Sequence, residues 1–225
     1  IDAVGTRHDE IRGYRGLYDK AMHTLRALVE LRGKYGFYVG VNQTLTDRNW
    51  DHIEPLRKEM AKLGVSVHYA IATDHYTLYR LNTAKENEVP DMKSASMSDF
   101  TPEQLNYIFD QLDRHDGIKD IPEWLVQRYY LRGLKNRLLH NVEDPKPQCI
   151  ELYNHIRLMP NGDVVTCVYY PTVIGNLRAQ SLGQVWYNDK AQQQRQVVRK
   201  CPGCWAGCEA KPNAIYTGDI VKAFL

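Results

Sequence analysis

Leu17, Ala21, Leu25 and Leu28 recur at helical spacing after Gly16, and the run closes on Arg32 and Gly33 in the way helices commonly close. This predicts an amphipathic helix from Gly16 to about Gly33. Tyr38 to Leu45 reads as a short buried strand, and a second helix carries Leu56, Met60 and Leu63 before Gly64 stops it. Pro55 blurs where that helix begins, since proline is tolerated only in the first turn. Val65, Val67, Tyr69 and Ile71 then alternate with polar Ser66 and His68, which is the period of a strand. Strands alternating with helices at so short a repeat describe β-α units with parallel strands, an α/β class.

The stretch from Thr73 to Ser98 keeps no period and reads as a long loop near the mouth of such a sheet, the kind that often carries function. Thr101, Pro102 and Gln104 then open a helix, as cap, first-turn proline and reciprocal cap, ahead of Leu105, Ile108 and Leu112. A further helix runs from Pro122 to about His140. Asp144 to Gln148, with two prolines, reads as a stiff polar linker, which places a domain boundary between residues 1–143 and 144–225. Beyond it, His155 to Met159 and Asp163 to Tyr169 are short strand candidates flanking Pro160, Asn161 and Gly162. Asn-Gly in that position signals a hairpin, because both residues accept positive φ. Ser181 with Gln184 repeats the capping-box pattern and opens a helix through Val185, Trp186, Val197 and Val198. A cysteine-rich turn and a small apolar tail follow.

Composition is that of an ordinary soluble globular protein, and 225 residues suffice for one large domain or two small ones. The net charge of +2 is too balanced for a nucleic-acid partner, which needs a concentrated basic face. Arg128, Arg132, Lys135 and Arg137 come nearest to one and read as a solvated helix side. No apolar run approaches the roughly 18 residues that span a bilayer, and no leader pattern stands at the start. A cytoplasmic protein without a membrane partner is expected. Ile1, Asp2 and Ala3 read as the exit of a strand, so a longer protein upstream is expected too.

All five cysteines, Cys149, Cys167, Cys201, Cys204 and Cys208, lie after residue 148. An odd number excludes a fully paired disulfide framework, and the uneven placement favours a local metal site over scattered buried thiols. The turn Cys201-Pro202-Gly203-Cys204 lets two thiolates converge, while the hairpin brings Cys167 back towards Cys149. Four sulfurs from three segments can then surround one centre. Both an iron-sulfur cluster and a structural zinc ion use such turns, and spacing alone leaves the two open.

The segment from Cys149 to Cys208 resembles the SPASM or twitch auxiliary domain of radical S-adenosylmethionine (AdoMet) enzymes. Cys149, Gly162 and Cys167 fit that family's pattern of cysteine, spacer, glycine, four residues and cysteine. Met159-Pro160-Asn161-Gly162-Asp163-Val164 resembles its hairpin, and Ile174-Gly175-Asn176-Leu177 with Ser181, Leu182 and Trp186 resembles the continuation. Asp2 and Ala3, followed by His8, Asp9, Ile11, Arg12 and Gly13, resemble the segment after the fourth barrel strand of the same superfamily. The resemblance implies the C-terminal half of a partial (β/α)6 barrel followed by a small β-hairpin plus helix domain holding one auxiliary 4Fe-4S cluster. Cys149, Cys167, Cys201 and Cys204 would be its ligands, with Cys208 the alternative to Cys201.

It also implies AdoMet and a second 4Fe-4S cluster in the intact protein, an oxidoreductase or maturase acting through a 5′-deoxyadenosyl radical on a peptide or small-molecule substrate. The Cys-x-x-x-Cys-x-x-Cys that binds that second cluster is absent from this chain, so the chain alone is expected to be inactive. Asp2 and Asn42 fall at strand ends that face the cofactor in related barrels. His8, Asp9 and Arg12 read as a capped, ion-paired turn. Trp205, between Cys204 and Cys208, reads as a core anchor that would also shield a cluster. Tyr76, Tyr79, Tyr169 and Tyr170 are candidate channel residues. A non-catalytic zinc or cluster module that recognises a peptide or protein is the alternative function.

Overall fold

In the computed structural model of the protein, which describes residues 1–72, 99–115, 121–167, 171–201 and 203–224, β1 (Gly40–Leu45) and β2 (Ser66–Ile71) run parallel. Gly40 lies beside Ser66 and Leu45 beside Ile71, with α3 (Ile53–Ala61) on the connection between them. The alternation Val41 and Gln43 inward, Asn42 outward puts one face of β1 in the core. Helix α2 (Leu17–Tyr35) supplies Met22 and Leu25, which pack with Val39, Val41, Leu56, Met60 and Val65. Pro55 sits in the first turn of α3, where its missing N–H costs nothing.

Helix α2 runs past the expected stop at Gly33. Gly36 ends it instead, in the left-handed conformation, with its N–H on the Arg32 carbonyl. Arg32 in turn donates through Nη1 to the Gly64 carbonyl at 2.9 Å, tying the end of α2 to the end of α3. At the other end of α2, the carboxylate of Asp9 from α1 (Thr6–Arg12) accepts from the N–H groups of Gly16 (2.6 Å) and Tyr18 (2.8 Å). These are donors that a helix start leaves without intrahelical partners. Helix α4 (Pro102–His115) begins with the expected Thr101 and Gln104 reciprocal cap and buries Leu105, Ile108, Phe109 and Leu112. Tyr107 meets the edge of Trp50 at 5.1 Å.

The described residues form two compact units, 1–72 with 99–115 and 121–224. The proline segment 144–148 therefore lies inside the second unit. Helix α5 (Ile121–His140) joins it because its buried residues are used there. It packs on α8 (Gly207–Thr217) and on the 3-10 turn Asp219–Phe224. The Tyr129 hydroxyl donates to Asp219 at 2.5 Å, and Arg132 donates to the Lys222 carbonyl at 2.7 Å. Arg137 donates to the Pro145 carbonyl and lies 4.0 Å over the Trp205 ring. The basic side of α5, expected to be solvated, is thus partly spent on holding its own chain. Burial lowers the Arg137 pKa, as it must for a desolvated cation.

Strands β3 (Arg157–Leu158), β4 (Asp163–Val165) and β5 (Val173–Asn176) form an antiparallel sheet in that order. The hairpin forms where expected but with a different turn. Of its Asn-Gly pair only Gly162 has positive φ, at 92°, with its N–H on the Met159 carbonyl. Pro160 fixes φ near −65°, which suits a turn closed by one left-handed glycine and not a two-residue primed turn. Strand β5 was not expected, and the strand expected over Asp163 to Tyr169 ends at Val165; residues 168–170 lie outside the described ones.

The helix expected from Ser181 to Val198 is two helices, α6 (Leu182–Tyr187) and α7 (Asp189–Arg199). Asn188 breaks it by taking two tertiary and local bonds at once. Its carboxamide oxygen caps Ala191 N–H at 2.7 Å while its Nδ2 donates to the Ile174 carbonyl of β5 at 2.8 Å. Leu152, Val164, Ile174, Val185 and Ala191 form the core that this arrangement closes. Helix α8 replaces the expected turn and tail. Its Pro212 interrupts the backbone ladder, and burial of Ala210, Asn213 and Ala214 offsets the loss.

Two outcomes test this account. The Asp9 pKa is lowered chiefly by the Tyr18 N–H, so its contribution to stability is complete above its unfolded pKa near 3.8 and is lost as pH falls through the lower folded value. Asp9→Asn should flatten the fall in urea midpoint below that pH, and an unchanged acid slope would contradict the cap. Gly133 of α5 faces Trp205 so closely that a β-carbon would overlap the indole. Gly133→Ala gains about 1 kcal/mol of helix propensity, and overpacking costs about 1–3 kcal/mol. A net loss in denaturant melts is expected, together with a changed Trp205 fluorescence.

Candidate metal centre

Two chain segments bring Cys149 and the run Cys201, Cys204 and Cys208 near one another in the second unit. Cys149 precedes a stretch anchored by the Ile150 N–H on Asn213 Oδ1 (3.2 Å), a residue buried in α8. Cys201 follows α7, with its N–H on the Val198 carbonyl, and Cys208 lies in the first turn of α8. Arg195 of α7 fastens this frame by donating to the carbonyls of Leu152 and Trp186, both at 2.8 Å. Cys149, Cys167, Cys201 and Cys204 are half-buried, Cys208 is exposed, and none of the five is in a disulfide.

The sulfurs of Cys149 and Cys201 share a hydrogen bond. It raises the pKa of Cys149 and lowers that of Cys201, so Cys201 ionises first. Cys204 is pushed up to about 12, mainly by burial, with the charges of Cys201 and Cys208 adding to the effect. Backbone N–H groups close to the sulfurs, that of Glu151 at Cys149, of Gly203 at Cys201 and of Ala206 at Cys204, work towards the thiolate, the form that ligates metal; at Cys149 and Cys204 the opposing effects outweigh them. Lys146 adds a favourable charge near Cys201. Thiolates of this kind are soft donors that select iron-sulfur clusters or zinc, and N–H bonds to sulfur are among the features that set cluster potentials. The donor set fits a cluster.

Cys167 stands beyond the end of β4, carried there by the hairpin. Trp205, expected as an anchor, is 3% exposed. Its ring stacks on Tyr130 at 5.9 Å and 4°, and its Nε1 donates to the Tyr130 carbonyl at 3.1 Å. The Tyr130 hydroxyl is held protonated by burial first and by the nearby charges of Cys208 and Cys204 second.

Against Cys208 lies a group that sequence reasoning missed. Glu151 and Glu209 are buried at 0% and 2% exposure, and His155 Nε2 lies 2.8 Å from one and 3.4 Å from the other. Arg157 of β3 is ion-paired with Glu209, has Nε 3.9 Å from Glu151, and points Nη2 at Cys208 Sγ, 3.6 Å away. Burial raises the Glu151 pKa to about 8 and lowers that of His155. The ligand atoms of Glu151, His155 and Glu209 lie within 4.8 Å of one another, but Arg157 already brings the cation. Glu151 and His155 are four residues apart and Glu209 adjoins Cys208. Nothing in the sequence shows that both carboxylates are buried.

In the first unit, Asp2 is 2% exposed and its carboxylate is engaged, by Arg12 Nε at 2.5 Å and by the Thr44 N–H at 3.3 Å. Its carbonyl accepts from Gln43 and Asn49. Asn42 is exposed on β1, opposite His68 of β2. With Asp9 capping α2 and Arg12 on Asp2, the group His8, Asp9 and Arg12 is the ion-paired turn that was expected. Tyr76, Tyr79, Tyr169, Tyr170 and the long loop lie outside the described residues. Among the described residues no helix is long and apolar enough to cross a membrane.

Residues 149–209 match the SPASM family, an iron-sulfur cluster-binding domain. Over 96% of its length the chain is 22% identical to the AdoMet-dependent heme synthase of Methanosarcina barkeri (strain Fusaro / DSM 804), and it spans 62% of the length of that relative. Among solved structures, native anSMEcpe with bound AdoMet overlaps 88% of this chain and 68% of its own, at 12% identity and a TM-score of 0.38. The form with AdoMet and the Kp18Cys peptide overlaps 76% and 55%, at 12% identity and a TM-score of 0.31. The cysteines from Cys149 to Cys208 thus lie inside a segment that matches the SPASM iron-sulfur cluster-binding domain, in a chain similar over most of its length to an AdoMet-dependent relative.

Proposed function

We propose that the second unit holds one auxiliary 4Fe-4S cluster, with Cys149, Cys167, Cys201 and Cys204 as ligands and Cys208 as the alternative to Cys201. The observation that carries this reading is that Cys149, Cys201 and Cys204, from two separate segments, lie within electrostatic reach of one another inside the segment that matches an iron-sulfur cluster-binding domain. Sulfurs gathered before ligation need little reorganisation to take up a metal centre. When bound, such a group supplies a one-electron site or an anchoring point for substrate. The chain's own residues do the rest. Trp205 and Tyr130 exclude water on one side, and the Val198 carbonyl holds the Cys201 N–H at the end of α7.

The first unit, in this reading, is the C-terminal half of a partial (β/α)6 barrel. Its parallel pair β1 and β2 with α3 between them is in keeping with that. Asn42, exposed on β1, is the better placed of the two AdoMet-side candidates. Asp2 acts by shaping the strand end, since its carboxylate is already engaged. The intact protein would carry the AdoMet-binding cluster on an upstream Cys-x-x-x-Cys-x-x-Cys and use a 5′-deoxyadenosyl radical on a peptide or a small metabolite. The match to an AdoMet-dependent relative supports the cofactor and leaves both substrate classes in view.

Anaerobic reconstitution with iron and sulfide is expected to give about four irons per chain and a broad brown absorption. Stoichiometric zinc without colour would sink the cluster reading. Serine at Cys149 or Cys204 should remove most of the iron. Serine at Cys201 and at Cys208 in turn identifies the remaining ligand, as only one of the two losses should be severe. Incubated with AdoMet and dithionite, the 225-residue chain should release no deoxyadenosine, whereas a longer protein bearing the upstream motif should. Cleavage by the short chain would contradict the division of labour between the two clusters.

A further inference from the structure

We infer that Arg157 is a positioning residue for the cysteine pocket, a fixed cation clamped by two buried carboxylates against Cys208 so that it raises the reduction potential of the cluster bound there. The inference rests on the auxiliary-cluster reading above. Arg157 leaves β3 towards the start of α8, where its guanidinium is ion-paired with Glu209 and has Nε 3.9 Å from Glu151. Its Nη2 reaches Cys208 Sγ at 3.6 Å. Both carboxylates are essentially inaccessible, and the Arg157 side chain is 23% exposed. A guanidinium held from behind by buried anions has little freedom to swing into water, which separates this contact from a chance surface pairing.

The consequence is electrostatic. Cys208 lies within electrostatic reach of Cys204, so a cation on Cys208 stands close to the sulfurs of the site. Reduction by one electron, supplied from dithionite, adds one negative charge to the bound cluster. A neighbouring cation stabilises that added charge more than it stabilises the oxidised form, and where Cys208 takes the place of Cys201 as a ligand, donation to its sulfur acts in the same direction. Without Arg157 the site keeps the Glu209 carboxylate and loses the positive charge paired with it.

The test is a mediated redox titration of the reconstituted full chain, followed by visible absorption and by the magnetic resonance signal of the reduced cluster. Arg157→Met should make the midpoint more negative by about a tenfold change in the reduced-to-oxidised ratio, roughly 59 mV for a one-electron couple. Arg157→Lys, which keeps the charge, should recover most of that shift. Arg157→Met leaves two buried carboxylates without their cation, so Arg157→Met combined with Glu209→Gln is titrated alongside it. This pair keeps net charge, still lacks the donor, and should shift in the same direction by a smaller amount. A full complement of iron with an unchanged midpoint, in either variant, overturns the inference. So does loss of iron from both with circular dichroism intact, because Arg157 would then be structural alone. Wild-type chain that takes up no iron would overturn the cluster reading instead, and the two failures are told apart by that control.

Discussion

The burial of Trp205 against α5 is the contact on which the cysteine pocket depends. The indole lies between Cys204 and Cys208 in sequence and is stacked on Tyr130, covered by Arg137 and pressed onto Gly133. Removing so large an aromatic surface from water is worth a few kcal/mol, enough to fix the otherwise irregular chain between α7 and α8. Where the indole goes, the two neighbouring sulfurs follow. That is why α5 belongs with the cysteine-rich unit in space although the proline segment 144–148 separates them in sequence.

Charge is the second constraint on the same region. Three half-buried thiols and two buried carboxylates converge there, and an uncompensated set of that kind would be costly in a desolvated site. The protein meets the cost with backbone donors and fixed cations. The N–H groups of Glu151, Gly203 and Ala206 lie near the sulfurs, Lys146 lies near Cys201, and Arg157 spans Glu209 and Cys208.

The first unit shows a parallel economy at its strand ends. Asp9 satisfies the start of α2, and Asp2 gathers Arg12, Thr44, Gln43 and Asn49 around one buried residue. These bonds join the segment before α1 to β1 across more than forty positions of sequence, as the bonds of Gln43 and Thr44 to Asp2 show directly. Polar residues near a strand end there serve the architecture first, while Asn42 stands on the exposed face of β1.

Several features were written locally and could be read from the chain. The strands β1 and β2 follow from alternation, α2 and α4 from helical spacing and caps, and the hairpin from Asn161 and Gly162, because each depends on residues a few positions apart. The gathering of cysteines after residue 148 likewise announced a metal site from composition and spacing. What local pattern could not express was decided by distant partners. Asn188 splits one expected helix because Ile174 accepts its amide, α8 persists through Pro212 because its small residues are buried, and Gly133 is needed because Trp205 presses on it. Glu151 and Glu209 look like ordinary surface carboxylates in the sequence. Burial beside Arg157 and Cys208 makes them part of the pocket, since only folding removes the water that would otherwise screen them.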